Sequence, residues 1–344
     1  MSEIADHEHP TAVDPLRRLN EAAGWIASAD SASVLAATVV LAVVVGLFHH
    51  SFLDRANLLS ILQQSVYIGI LAAGMSFLLA MRELDLSVGS NFGLSLIVSA
   101  LLMQHGWTPW LAGLMAVLVG GSFGFVNALA VQVFRIPTIV ATLATLSMGR
   151  GLALALTSGQ QVVDLPAGSS FFTFLGGTTL GVATSVWVLA AVVVVLTVVL
   201  RTTPFGYRVR SIGSNPEAAT FSGISVGVVR MQALVLIGLL AGLAGALGLA
   251  FFISGDPNIG SGFELQAIAA AVIGGTPLRG GSGTVFGAVV GTILLTVVAN
   301  GLVFFDVPLN WSSFATGAVI LLAVALDSLV RRRRRPVRQP GLDV

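Results

Sequence analysis

The chain has 344 residues, 55% of them hydrophobic and only 10% charged, with a formal net charge of +1; a soluble domain carries about 25% charged residues. Cysteine and lysine are absent and all 17 basic residues are arginine, which excludes disulfides, cysteine-ligated metals and a P-loop whose lysine holds nucleotide phosphates. The composition leaves an all-α, polytopic membrane helical bundle in which ATP-driven work requires a partner chain.

In chain order, residues 1–32 form a tail made acidic by Glu3, Asp6, Glu8 and Asp14. A signal peptide would be basic there, so the first apolar run is expected to stay as an anchor. Apolar runs near twenty residues, the length that crosses roughly 30 Å of hydrocarbon, predict about ten transmembrane helices. They fall near 33–48, 58–81, 86–103, 110–133, 137–157, 180–200, 230–253, 264–278, 281–304 and 311–330. The transmembrane domain is thus 33–330, followed by a basic tail, 331–344. With the N-terminus inside, Arg17, Arg18, Arg82, Arg135, Arg201, Arg208, Arg210, Arg230, Arg279, Arg331 to Arg335 and Arg338 share one side, which is 15 of the 17 arginines. Arginine excess in short loops marks the side that was not translocated, so both termini and the loop 201–229 are expected to be cytoplasmic. The run Arg331–Arg335, directly after a span, reads as an anionic-lipid anchor and not as a nucleic-acid site.

Small residues recur at i, i+4 spacing: Gly89 with Gly93, Gly120 with Gly124, Gly238 with Gly242, and Gly283 with Gly287 and Gly291. In lipid such stripes let helix backbones approach closely. The stretch "RELDLSVGS" (82–90) interrupts an apolar run with Arg82, Glu83 and Asp85. One reading puts the break at the interface, with Asp85 or Ser87 capping the next helix and Arg82 snorkelling. The other places Asp85, Ser87 and Asn91 on the solute path, since ionisable groups at depth are costly and usually functional. Arg150 sits well inside a span and is expected to face the bundle interior or a wet cavity. Asn127 and Asn300 read first as interhelical hydrogen-bonding residues and second as solute contacts. Ser261 and Glu264 have the spacing of a capping box.

The polar loop 201–229 carries "IGSNPEAATFSGI" (212–224). Asn215 suits an N-cap, Pro216 the first helical position and Glu217 the positive end of the dipole. Gly223 suits the left-handed residue that closes a helix. This predicts about two turns of helix, roughly 10 Å, too short to stand alone in water. It either docks onto another protein or lies on its own bundle or on headgroups. Histidines at 7, 9, 49, 50 and 105 lie outside the spans, no H-E-x-x-H occurs, and paired His49 and His50 lack a third ligand; no metal site or intramembrane protease is expected.

"EAATFSGI" resembles the loop of ABC importer permeases in which a short cytoplasmic helix fits a groove on the ATPase. "LDLSVGS" (84–90), "RIPTIVATLATLSMGRGLAL" (135–154), "FGYRVRSIGSNPEAATFSGI" (205–224) and "FELQAIAAAVIGGTPLRGGSGTVFGAVVG" (263–291) are similar to permeases of ribose-type monosaccharide importers, in order over residues 58–330. Arg82 and Glu83 stand where that family usually has small residues, and Gln266 where an aspartate is common. The resemblance implies a homodimer in the bacterial cytoplasmic membrane, a tandem-domain ATPase partner that binds ATP and Mg, and a periplasmic or lipid-anchored sugar-binding protein. It implies no cofactor and no catalysis in this chain. Asn215, Pro216, Glu217, Ala218, Ala219 and Gly223 would couple to the ATPase. Branched-chain amino-acid permeases match these stretches less well. A stand-alone secondary transporter would need buried carboxylates for ion coupling, which the span interiors nearly lack.

Overall fold

The computed structural model describes residues 29–308 together with 311, 314, 317, 318 and 321. Most of both tails and most of the predicted tenth span lie outside the described residues. The order is α1 (Ala29–Phe48), a 3-10 turn (His50–Leu53), α2 (Arg55–Ala80), α3 (Val88–Gln104), α4 (Pro109–Phe134) and α5 (Thr138–Thr157). There follow α6 (Ser170–Leu175), a two-residue hairpin of β1 (Thr178–Thr179) and β2 (Val182–Ala183), α7 (Thr184–Thr202), α8 (Pro204–Ser214), α9 (Pro216–Phe221), α10 (Val226–Phe252), α11 (Phe263–Ile273) and α12 (Val285–Phe304). Among the described residues, α2, α4, α5, α7, α10 and α12 are long and apolar enough to cross a membrane, while α1, α3 and α11 are shorter apolar helices.

The helices form two layers. From Ile61 onward α2 is almost wholly buried, as are most of α3 and the part of α10 from Ala233 to Ala250. Around them α1, α4, α5 and α7 turn large apolar side chains outward, among them Val40, Leu114, Leu143 and Val194. That is the pattern expected when the surrounding solvent is hydrocarbon.

The glycine stripes are the seams. A Cβ on Gly120 would fall on the Gly238 carbonyl oxygen, and one on Gly238 would fall on the Gly120 carbonyl oxygen. One turn away on each helix, Gly124 and Gly242 press on the Leu234 and Ala116 carbonyls. Helices α4 and α10 therefore meet backbone to backbone. The predicted single face at 283–291 is split: Gly283 precedes α12 and lies against Ser76 of α2, while Gly287 and Gly291, on α12, lie on the carbonyls of Gly274, just past α11, and of Ala270 in α11.

Two chain breaks enter the bundle. Helix α11 has 11 residues, about 16 Å, and cannot cross alone. It stops at Ile273, short of the predicted 278, because Gly274 and Gly275 precede Thr276 and Pro277, with Gly275 at φ +97°. The non-helical stretch 253–262 before it is laid on α3, with the Gly260 and Ile259 carbonyls over Gly89 and Gly93. Irregular backbone at such depth persists because protein, and not lipid, covers it. The second break, 81–87, separates α2 from α3.

Candidate functional site

The loop between α7 and α10 folds into two helices that share one capping residue. Asn215 closes α8 and opens α9, and its Oδ1 accepts the backbone N–H groups of Glu217 and Ala218, both at 3.1 Å. At the other end Gly223 has φ +80°. Its N–H donates to Thr220 O at 2.9 Å, and the Ile224 N–H donates to Ala219 O at 3.0 Å, the paired bonds of a Schellman closure. Pro216 stands at the first helical position. Ala219 is buried against the bundle, whereas Glu217, Ala218 and Gly223 are exposed. Phe221, which sequence reasoning passed over, is 91% exposed, and Tyr207 of α8 is 63% exposed. Beside α9 a cavity of about 440 Å³ opens between Tyr207, Arg208, Ser222, Gly223 and Val228.

The break before α3 builds a second constellation. Asp85 is 2% exposed, and its Oδ1 accepts from Ser87 N at 2.7 Å and from Ser87 Oγ at 2.6 Å. Ser87 occupies the N-cap position of α3, but its side chain makes no capping bond; the expected cap by Ser87 gives way to this turn closed by Asp85. The same hydroxyl accepts from Asn127 Nδ2 at 2.8 Å, and Asn127 Oδ1 accepts from Thr145 Oγ1 at 2.6 Å. The Leu86 N–H donates to Thr142 Oγ1 at 3.1 Å. One polar chain therefore joins the break to α4 and α5.

Asn91 extends the polar line: its Nδ2 donates to Gly120 O at 3.1 Å and its Oδ1 accepts from Ser95 Oγ at 3.3 Å. Of the six residues expected along a solute path, Asp85, Ser87, Asn91 and Asn127 are thus gathered in the interior, with Asn127 in the interhelical role. Each member has a partner, so the network specifies one arrangement of three helices.

The other two lie apart. Asn300 sits on α12 with its Oδ1 buried and without a hydrogen-bond partner. Arg150, on α5, donates from Nη1 to Ser261 Oγ at 2.9 Å. The expected Ser261–Glu264 capping box does not form. Gly262, at φ +82°, takes the N-cap of α11, Ser261 turns to Arg150, and Glu264 Oε2 is buried without a hydrogen-bond partner. The partner of Arg150 lies 111 residues away, beyond any local pattern.

Arg82 is exposed, and both it and Glu83 have partners from the loop between α7 and α10 or its flank. Arg82 Nη2 donates to Ser214 O at 2.9 Å, and Glu83 Oε1 receives Arg230 Nε and Nη2, both at 2.6 Å. No group of three or more His, Cys, Asp or Glu side chains is arranged to hold a metal among the described residues.

Compared with known proteins, residues 57–324 match the family described as branched-chain amino acid transport system / permease component. The chain is 36% identical to the ribose import permease protein of Bacillus subtilis over 288 residues, 84% of this chain and 89% of that protein. It is 35% identical to the L-arabinose ABC transporter permease protein of Azospirillum brasilense, over 83% of this chain and 84% of that one. It is 34% identical to the autoinducer 2 import system permease protein of Yersinia enterocolitica, over 87% and 82%. No solved structure matches. With a multi-pass apolar bundle, a break at 81–87 holding buried Asp85 and Ser87, and a family match over most of its length, the chain belongs to the branched-chain amino acid transport system / permease component family of membrane permeases.

Proposed function

We propose that this chain is the membrane-spanning subunit of an ATP-driven ABC importer for a monosaccharide of the ribose or arabinose type. The observation that carries the reading is α9. Six residues of helix, capped by Asn215 and closed by Gly223, hold Phe221 91% exposed beside a cavity. A short helix that buries only Ala219 beneath it gains little from its own bundle. An exposed aromatic on it suits a pocket on a partner. In this reading Asn215, Pro216, Glu217, Ala218, Ala219 and Gly223 form the coupling element for an ATPase subunit of tandem-domain type, which binds ATP and Mg. A periplasmic or lipid-anchored binding protein delivers the sugar. The permease works as a homodimer in the bacterial cytoplasmic membrane, with both termini and α9 on the cytoplasmic side, in keeping with the arginine distribution. The names of the ribose and arabinose permeases favour the sugar class.

Arg150 supports a wet path. It is half exposed on α5, and Ser147 and Ser261 beside the same face are exposed. A guanidinium part-way along a spanning helix is too costly to present to lipid; solute and water, or a second copy of the chain, would cover it. The test is uptake by the permease reconstituted with its ATPase and binding protein, using radiolabelled D-ribose, L-arabinose and L-leucine. ATP-dependent uptake of one pentose is expected. Uptake of leucine alone would move the chain to the amino-acid class, and uptake without ATP would refute the importer.

A further inference from the structure

One charge-assisted hydrogen bond and one ion pair tie the break before α3 to both ends of the loop that carries α9. At one end Arg82 donates to the carbonyl of Ser214, the residue just before the Asn215 cap and the last of α8. A cation at the C-terminus of a helix also meets the negative end of its dipole. At the other end Glu83 holds Arg230, in the second turn of α10, just after the loop re-enters the bundle. Between these points the end of α2 is pressed onto the same loop. The Ala80 carbonyl accepts the Gly281 N–H at 2.9 Å, and Gly213 lies directly against that carbonyl.

The backbone at Arg82 points to a residue kept for its side chain. Helix α2 ends in a Schellman closure, with Arg82 N donating to Leu79 O at 2.9 Å and Glu83 N to Leu78 O at 2.8 Å. The closing position is therefore Arg82, at φ +66°, where glycine is favoured and a side chain is strained. Two residues beyond Glu83, Asp85 begins the buried chain through Ser87 to Asn127 and Thr145. Glu83, Arg230 and Thr138 also line a cavity of about 440 Å³, so the clamped segment has open space on one side into which it can shift.

We propose that Arg82 and Glu83 form a two-point clamp that hands movement of the α9 loop to the Asp85–Ser87 break, and through it to α3, α4 and α5. The proposal rests on the importer reading above. Arg82 and Glu83 are positioning residues: neither contacts ATP nor needs to contact solute. When α9 moves with its ATPase, Ser214 and Arg230 move with it, and the break is drawn along because each end is held by a charged group. Without the clamp the ATPase still cycles, but the break stays behind and ATP is spent without import.

The test measures ATP hydrolysed per D-ribose imported by the full importer in proteoliposomes. The variants are Arg82→Gly, Glu83→Gln, and Glu83→Arg alone and together with Arg230→Glu. Coupling between sites commonly corresponds to a factor of five or more, so Arg82→Gly and Glu83→Gln are expected to raise the ratio about fivefold or more, with hydrolysis retained. The double charge reversal is expected to bring the ratio back towards wild type, while Glu83→Arg alone does not. Arg82→Gly separates coupling from folding, because glycine relieves the left-handed backbone. The melting temperature should hold or rise as coupling falls. A lower melting temperature with an unchanged ratio would make Arg82 a structural residue and overturn the clamp. Wild-type ratios in every variant would overturn it too, leaving the importer reading intact. A wild-type permease that binds no ATPase, or imports neither D-ribose nor L-arabinose with ATP, would remove the importer reading and the clamp with it.

Discussion

Replacing Gly291 by alanine tests whether the bundle is held by backbone contact. In an ordinary helix interior, alanine in place of glycine stabilises by roughly 0.5–1 kcal/mol. Gly291 lies mid-helix in α12, and a Cβ there would fall on the Ala270 carbonyl oxygen, with Ala270 Cα 3.2 Å away. These are backbone atoms of α11, and no rotamer change can move them aside. Helix α11 has little room to retreat, because Ala267, Ala270 and Ala271 are 0% exposed. Inserting a methyl group into such a contact costs about 1–3 kcal/mol. After the helix gain is subtracted, the net loss is about 1–2 kcal/mol, or roughly 1–3 °C in a chain of 344 residues. The control is Gly151→Ala on α5, where a Cβ would meet nothing within 4 Å; it should hold or raise the melting temperature. Both variants are compared by thermal melting and gel filtration in one detergent. If Gly291→Ala melts at or above wild type, α11 and α12 do not touch at this point and the packing argument for the glycine seams is wrong.

Gly287→Leu, on the Gly274 carbonyl, should abolish the monodisperse gel-filtration peak; a normal peak with full transport would turn that face towards lipid. Gly223→Val, at φ +80°, and Glu217→Arg should leave membrane abundance normal but weaken ATPase pull-down and reduce uptake to background; retention of both would reduce α9 to ordinary surface structure. Asp85→Asn keeps an acceptor for Ser87 and removes a buried charge. The variant should therefore keep the folded bundle; loss of the monodisperse gel-filtration peak would show that the charge itself is required at this position. A reporter active only in the periplasm, fused after Val344, should stay silent, and strong signal would invert the topology.

Composition and spacing alone determined the all-helical membrane character, the approximate course of nine helices from α1 to α12, and the capped helix at Asn215–Gly223. Each depends on neighbours in the chain: an apolar run long enough to cross hydrocarbon, or a cap followed by Pro216 and closed by Gly223. The i, i+4 glycines likewise announced close contact, since that spacing is a property of one helix. Which helices met was decided only by tertiary structure. Gly120 found Gly238, and the stripe at 283–291 was divided between α2 and the end of α11, because Gly283 precedes the start of α12. The polar residues followed the same division. Asn127 and Asp85 looked like isolated anomalies in their own runs, and became one chain through Ser87 only when α3 and α4 came together. Arg150 found Ser261, and Arg82 and Glu83 found Ser214 and Arg230, across sequence separations of 111, 132 and 147 residues. Hydrophobic periodicity reports how a segment meets its solvent, whereas a buried polar group is fixed by the one partner that repays its desolvation, and that partner can lie anywhere in the chain.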